Sequence, residues 1–389
     1  FNNCIKRLFK KIMRNIINYS TIIFSFALAA SFLSSTLAID LKLKNYNESL
    51  IGFSLSFFAL GVIVSSFLHN IIREKYSLFF TLICSILIQL LFFLLLFFQF
   101  SIFTIVIITF VMGFTNHINF LTIETYISSE FKNKSGFYIS LFWSSAGFGA
   151  ILGSLIIAFN GVNYLSYVIA ILLIVFQFLP VFVSKSSILL TKVEKVEFSL
   201  SYNVINNIKF ILICVFFLGI SDAGWSSLFP SFLIEKGFTD KDVGRINFTS
   251  GMLVLLIFPL IGKLIDKISK VLILNIFCLI SIAGLIIFFF TENYFSIIFF
   301  TFIFYLSIGS LFLINFNLIN TNLKSHLIVF GVASYSICEN IGSFIGPTII
   351  GTLISFNINY FLIIFGVIFF LIFTLFNFST KLNGGPSGT

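Results

Sequence analysis

Three ionisable residues, Asp222, Glu339 and His117, each fall near the middle of a long apolar stretch. A group of that kind in such surroundings is costly unless it faces a cavity or a partner, so each is a candidate for chemistry. Asp222 lies in Gly219-Ile-Ser-Asp-Ala-Gly-Trp-Ser-Ser227, where small residues permit close approach or local unwinding. Its carboxylate suits carriage of a proton or a cation; the alternative is a packing bond to a neighbouring Ser or Asn. Glu339, followed by Asn340, Gly342 and Gly346, fits a second protonatable group and an interhelical hydrogen bond equally well. His117, between Asn116 and Asn119, can titrate near neutral pH, although a lone helical His more often serves packing. Glu124 follows His117 by two helical turns and so shares its face. It suits either a substrate contact or a gate pairing with a basic residue such as Arg73. Trp225, Asn315, Asn317, Asn320 and Gln89 are further candidates for touching a solute. Asp40 reads as a solvated helix end.

No catalytic set accompanies them. The sequence has no P-loop, no His-Glu-x-x-His and no Gly-x-Ser-x-Gly. The five cysteines, Cys4, Cys84, Cys214, Cys278 and Cys338, are scattered without paired spacing, so no disulfide framework or zinc site is expected. An enzyme, a cofactor and a metal centre are therefore not expected.

The elements that must position these residues follow from composition. Of 389 residues, 59% are hydrophobic and only 10% are charged. A soluble domain carries roughly 25% charged residues. The 23 basic and 14 acidic side chains cannot cover a soluble core of this size, which excludes a soluble enzyme, a nucleic-acid binder and a disordered chain. The net charge of +9 fits basic loops at a membrane surface. The 58 phenylalanines, with abundant Ile, Asn and Lys, reflect a compositional bias that weakens any single one of them as a functional clue.

Residues 77–123, 137–184 and 340–380 carry no formal charge, and each is long enough for two spans of about 20 residues. Polar breaks at Gln99-Phe-Ser101, Asn160-Gly-Val-Asn163 and Ser355-Phe-Asn-Ile-Asn359 divide them into helical hairpins. Twelve spans are expected: 19–39, 50–72, 77–98, 101–127, 136–159, 163–184, 209–234, 243–265, 270–290, 295–320, 327–355 and 358–379. With the N-terminus inside, 18 of the 23 Lys and Arg residues fall on the inner side, and the excess alternates loop by loop. A basic segment at 1–18 precedes a six-helix bundle at 19–184. A cytoplasmic loop at 185–208 leads to a second bundle at 209–380. The last residues, 381–389, read as a flexible tail or an expression scar. Both termini are expected in the cytoplasm.

The halves echo each other. Ser66-Phe-Leu-His-Asn70, with Arg73 beyond it, ends span two. Gly262-Lys-Leu-Ile-Asp-Lys267 ends span eight. Gly147, Gly149 and Gly153 in span five, and Gly342 and Gly346 in span eleven, give faces on which helices can cross closely. With Ile123-Glu-Thr-Tyr126 and Gly342-Ser-Phe-Ile-Gly-Pro347, these motifs resemble the major facilitator superfamily, and in particular its drug-efflux-like bacterial branches. The resemblance covers roughly residues 15–380. Gly262 to Lys267 matches the superfamily's Gly-x-Leu-x-Asp-Arg/Lys signature. In the first half Ser66 replaces the glycine and Asn70 the aspartate.

The resemblance implies an all-α membrane protein of two pseudo-symmetric six-helix bundles, with one central site and a rocker-switch cycle. It implies that Asp266 braces one state of a gate formed with Gly262, Lys267, Arg73 and Asn70. The expected function is secondary active transport of a small solute, coupled to a proton or another ion, in a bacterial inner membrane. The protein is expected to act as a monomer with no nucleic-acid partner. A sensor or assembly factor derived from a transporter, and an integral-membrane enzyme, are the competing readings.

Overall fold

The computed structural model describes residues 2–98, 101–130, 135–183, 202–265, 267–290, 293–323 and 328–382. Every element among them is helical. A chain segment in lipid must satisfy its backbone amides internally, and a helix does so within one apolar run.

The helices of spans one to five are Asn2–Leu43, Glu48–Lys75, Leu78–Phe98, Ile102–Glu130 and Ser135–Asn160. Span six is built of two segments, Tyr164–Phe176 and Phe178–Val183. Spans seven to twelve are Tyr202–Glu235, Asp240–Ile265, Lys270–Phe289, Tyr294–Asn322, Ile328–Phe356 and Tyr360–Leu382. Twelve stretches are long and apolar enough to cross a membrane, one for each expected span. Phe159, Leu256, Phe295 and Phe356 are among many large apolar side chains left exposed. Such a surface suits lipid rather than water, and the chain is an integral, multi-pass membrane protein.

Two local features depart from the simple expectation. The first helix starts at Asn2, so the basic segment is continuous with span one. Span six breaks its ladder at Gln177, whose amide bonds Ile174 O at 3.1 Å. Pro180 explains the break, since it has no N–H to offer the carbonyl of Phe176. The turn before span six is fixed by Asn163, which accepts from the Ser166 amide while Ser166 Oγ accepts from the Asn163 amide. Gly161, at φ 69°, supplies the left-handed residue of that turn.

The contacts group into two compact units. One comprises Phe1–Asp40 and Phe57–Lys195, the other Leu41–Ser56 and Val196–Thr389. In the first unit, spans one and five pack backbone to backbone. A Cβ at Gly149 would lie 2.4 Å from Phe24 O, and one at Gly153 would lie 2.8 Å from Phe32 N. In the second unit, spans seven and eleven repeat that construction. A Cβ at Gly342 would lie 2.1 Å from Phe216 O, and one at Gly346 would lie 2.6 Å from Ile220 O. The same four-residue glycine spacing thus serves each half.

The core of the second unit is aromatic. Trp225 is fully buried, stacked on Phe304 at 3.9 Å and on Phe229 at 4.1 Å between ring centroids. Phe361 and Phe365 close the cluster at 5.3 and 5.4 Å. The Trp225 ring is a packing centre here rather than a solute contact, because other rings occupy its faces.

Candidate functional site

Spans seven and eleven bring Asp222 and Glu339 together. A Cβ on Gly219 would stand 2.2 Å from Glu339 O, so the two backbones touch one turn before Asp222. Ser343 Oγ donates to Gly219 O at 3.4 Å across the same seam. Glu339 lies within the electrostatic reach of Asp222. Asp222, inside the Ile205–Glu235 span, is exposed, and Glu339 is half-buried. Among the described residues neither carboxylate has a hydrogen bond or ion pair. Two neighbouring acids inside membrane spans can hold a proton or a cation.

Of the candidate residues in the first unit, Gln89, His117 and Glu124 have protein partners. Gln89, buried in span three, donates to Thr115 Oγ1 at 2.8 Å and Asn116 Oδ1 at 3.1 Å. His117 Nε2 lies 3.0 Å from Ser66 Oγ, and the His69 ring is within its electrostatic reach. Glu124 accepts from Trp143 Nε1 at 3.2 Å. His117 and Glu124 share a helix, but the structure gives them different partners, on spans two and five. In span ten, Asn315 is fully buried and its Nδ2 donates to Leu311 O at 2.8 Å.

Of the gating motif, Gly262 is partly exposed and Lys267 exposed. A Cβ at Gly262 would meet nothing within 4 Å, so packing does not demand glycine there. Asp266 and the side chains of Asn70, Arg73 and Asn320 lie outside the described residues. Gly147 is partly exposed on span five, and Pro347 sits inside the helix of span eleven.

Asp40 differs from its expectation as a solvated helix end. The helix of span one continues to Leu43, and Asp40 accepts a hydrogen bond from the Tyr167 hydroxyl of span six. Nothing local in the sequence pairs residues 127 positions apart.

Sequence reasoning also missed a charged cluster in the second unit. Lys42 forms ion pairs with both Glu48 and Glu235. Below it, a Cβ on Gly52 would overlap Pro347 O at 2.0 Å, and one on Gly351 would stand 2.4 Å from Glu48 O. Ser49 Oγ and Thr352 Oγ1 are 3.1 Å apart. These contacts explain why residues 41–56 group with spans seven and eleven. The available signal was opposite charge on either side of the short turn at 44–47, which points to Glu48 but not to Glu235. Lys42→Ala leaves two acids facing each other without their cation. We expect a loss of about 1–2 kcal/mol, reduced from the buried-pair value because Glu235 is half exposed. A lower thermal midpoint in detergent than that of Lys44→Ala, on the adjoining exposed turn, checks this.

Comparison with known proteins agrees with this architecture. The sequence pattern of the Major Facilitator Superfamily matches residues 17–347. The fold is similar to that of the nucleoside transporter NupG, at TM-score 0.77 and 11% identity, over 95% of this chain and 99% of that one. It is similar to a bacterial homologue of the human lysosomal transporter Spinster in an inward-facing, unoccupied conformation. There the TM-score is 0.76 at 9% identity, over 97% and 99% of the two chains. The POT family transporter PepTSo gives 0.72 at 11%, over 96% and 99%. No curated protein matches the chain by sequence.

Proposed function

Because this chain belongs to the Major Facilitator Superfamily, we propose that it is a secondary active transporter that moves a small solute by alternating access, coupled to protons through Asp222 and Glu339. The observation that supports the coupling is the pair itself, two neighbouring carboxylates inside spans with no hydrogen bond or ion pair among the described residues. A carboxylate already held by Lys or Arg would have no reason to exchange its proton during a cycle.

The remaining parts take roles consistent with that cycle. The glycine seams between spans one and five and between seven and eleven let helices slide without rotamer changes. The Lys42 cluster, where residues 41–56 pack against spans seven and eleven, serves as an ion-paired latch on the outer side. Gly262 to Lys267 belongs to the inner gate. The protein works as a monomer in a bacterial inner membrane, with both termini in the cytoplasm and no nucleic-acid partner.

Topology is tested by cysteine accessibility. With an impermeant maleimide on intact cells, Lys44→Cys is expected to label and Ser77→Cys to label only after lysis. The opposite pattern overturns the assigned orientation. For function, a thermal-shift screen over metabolites identifies a stabilising solute, whose uptake into proteoliposomes is then measured with and without an imposed pH gradient. Uptake that ignores the gradient overturns proton coupling.

A further inference from the structure

The surroundings of Asp222 and Glu339 also point to what the site accepts, and this inference rests on the transport reading above. We propose that the transported solute carries a protonated amine, whose ammonium N–H groups are received by Asp222 and Glu339 against the ring of Tyr335.

The argument is an accounting of donors. Tyr335 lies within the electric field of both carboxylates, and Tyr305 within that of Asp222. The hydroxyl of Tyr335 donates to Phe312 O at 3.3 Å, and that of Tyr305 donates to Asn247 Oδ1 at 3.1 Å. Ser343 Oγ spends its proton on Gly219 O at 3.4 Å. Each of these protons is committed to protein, so what the three side chains have left to offer is lone pairs.

Asn315 is an independent observation of the same kind. It shares a helical face with Phe312 and Ile319, both of which pack against Tyr335. Its Nδ2 is used on Leu311 O, while Oδ1 is fully buried and has no hydrogen-bond partner. A buried acceptor left unmade is expensive, and Asn315 Oδ1, with nothing to receive among the described residues, is available to a ligand's donor.

Charge points the same way. No Lys or Arg occurs between Lys209 and Lys236 in span seven, or between Lys324 and Lys381 around spans eleven and twelve. Spans seven and eleven therefore supply negative charge and acceptors here without a cation of their own. An anion would meet only repulsion. A neutral polyol would leave the carboxylates uncompensated. An ammonium supplies both the positive charge and several donors. Aromatic surface extends the site, since Tyr335 meets Phe316 edge to face at 6.0 Å and Phe316 is partly exposed. A cation with an apolar body gains from these rings.

The test compares three probes of similar size on the purified full-length protein in nanodiscs. Phenethylammonium has a charge and N–H donors, benzyltrimethylammonium has the charge alone, and 3-phenylpropionate has the opposite charge. Titration calorimetry is expected to show saturable binding of phenethylammonium. Benzyltrimethylammonium should bind roughly tenfold weaker, as expected for lost charge-assisted hydrogen bonds, and 3-phenylpropionate should not bind. Glu339→Gln and, separately, Asn315→Leu should each weaken phenethylammonium by about tenfold at unchanged elution volume. Equal binding of the two cations, stronger binding of the anion, or no binding of phenethylammonium overturns the proposal without needing any variant to fold. Proton release on binding, read with a pH dye in weak buffer, separates the two readings. Phenethylammonium binding without proton release supports the amine site and overturns coupling through the pair. Proton-gradient-driven uptake of a non-amine solute, with no phenethylammonium binding, supports coupling and overturns the amine site.

Discussion

Asp222→Asn is expected to abolish uphill accumulation in proteoliposomes while counterflow of the same solute at equal pH persists at saturating solute, with weaker affinity where that carboxylate also receives the solute. The substitution keeps the shape and polarity of the side chain and removes its capacity to carry a proton. A one-unit pH gradient supplies about 1.4 kcal/mol per proton, so one coupled proton supports up to about tenfold accumulation. The variant should fall to a ratio of about one. Counterflow does not use the gradient, so its survival shows that the carrier still folds and cycles. Loss of both activities would place Asp222 in solute binding or folding rather than in coupling alone. Unchanged uphill transport would remove it from the mechanism. Glu339→Gln serves as the partner measurement, because the two acids sense each other. A group that only repels its neighbour should alter the pH at which transport runs without abolishing accumulation.

The parts of the molecule readable in advance were those encoded over short distances. Spans show as apolar runs of bilayer length, and the break at Asn160 to Asn163 shows as turn chemistry that the structure realises as a capping box. Glycines spaced four apart in spans five and eleven mark close crossings, because spacing alone puts them on one helix face. Asp222 and Glu339 were visible as acids out of place in apolar segments, but their proximity was not, since 117 residues separate them. Partner identity is a tertiary property, and it misled where the local cue was strongest. Asp40 looked like a polar residue ending a helix, yet it accepts a hydrogen bond from Tyr167. Lys42 looked like one more loop charge, yet it joins Glu48 to Glu235. Trp225, beside Asp222 in a segment of small residues, looked available to a solute. Its ring is instead packed among Phe229, Phe304, Phe361 and Phe365.

A large stability effect is expected at the seam that holds the two acids together. Gly342→Ala places a methyl group 2.1 Å from Phe216 O and 3.1 Å from Ile220 N. Both neighbours are backbone atoms, so no side-chain rotation relieves the overlap and spans seven and eleven must separate. Overpacking typically costs about 1–3 kcal/mol, and the upper part of that range suits a backbone-to-backbone clash. Gly366→Ala in span twelve is the control, because its new Cβ would meet nothing within 4 Å. Alanine there gains helix propensity of roughly 0.5–1 kcal/mol, so that variant should match or exceed the parent. Gly284→Ala should fall between them, since the nearest atoms to its Cβ are side-chain atoms, the ring of Phe300 at 3.2 Å and Ile303 Cγ2 at 3.5 Å. Thermal midpoints at one scan rate in one detergent give the ranking without assuming reversible unfolding. A Gly342→Ala protein as stable as the Gly366→Ala protein would show that the seam tolerates separation. The distance between Asp222 and Glu339 would then not be set by it. Separation should also weaken the mutual influence of the carboxylates. Gly342→Ala is therefore expected to lose accumulation ratio beyond what its lower stability explains, measured well below its unfolding midpoint.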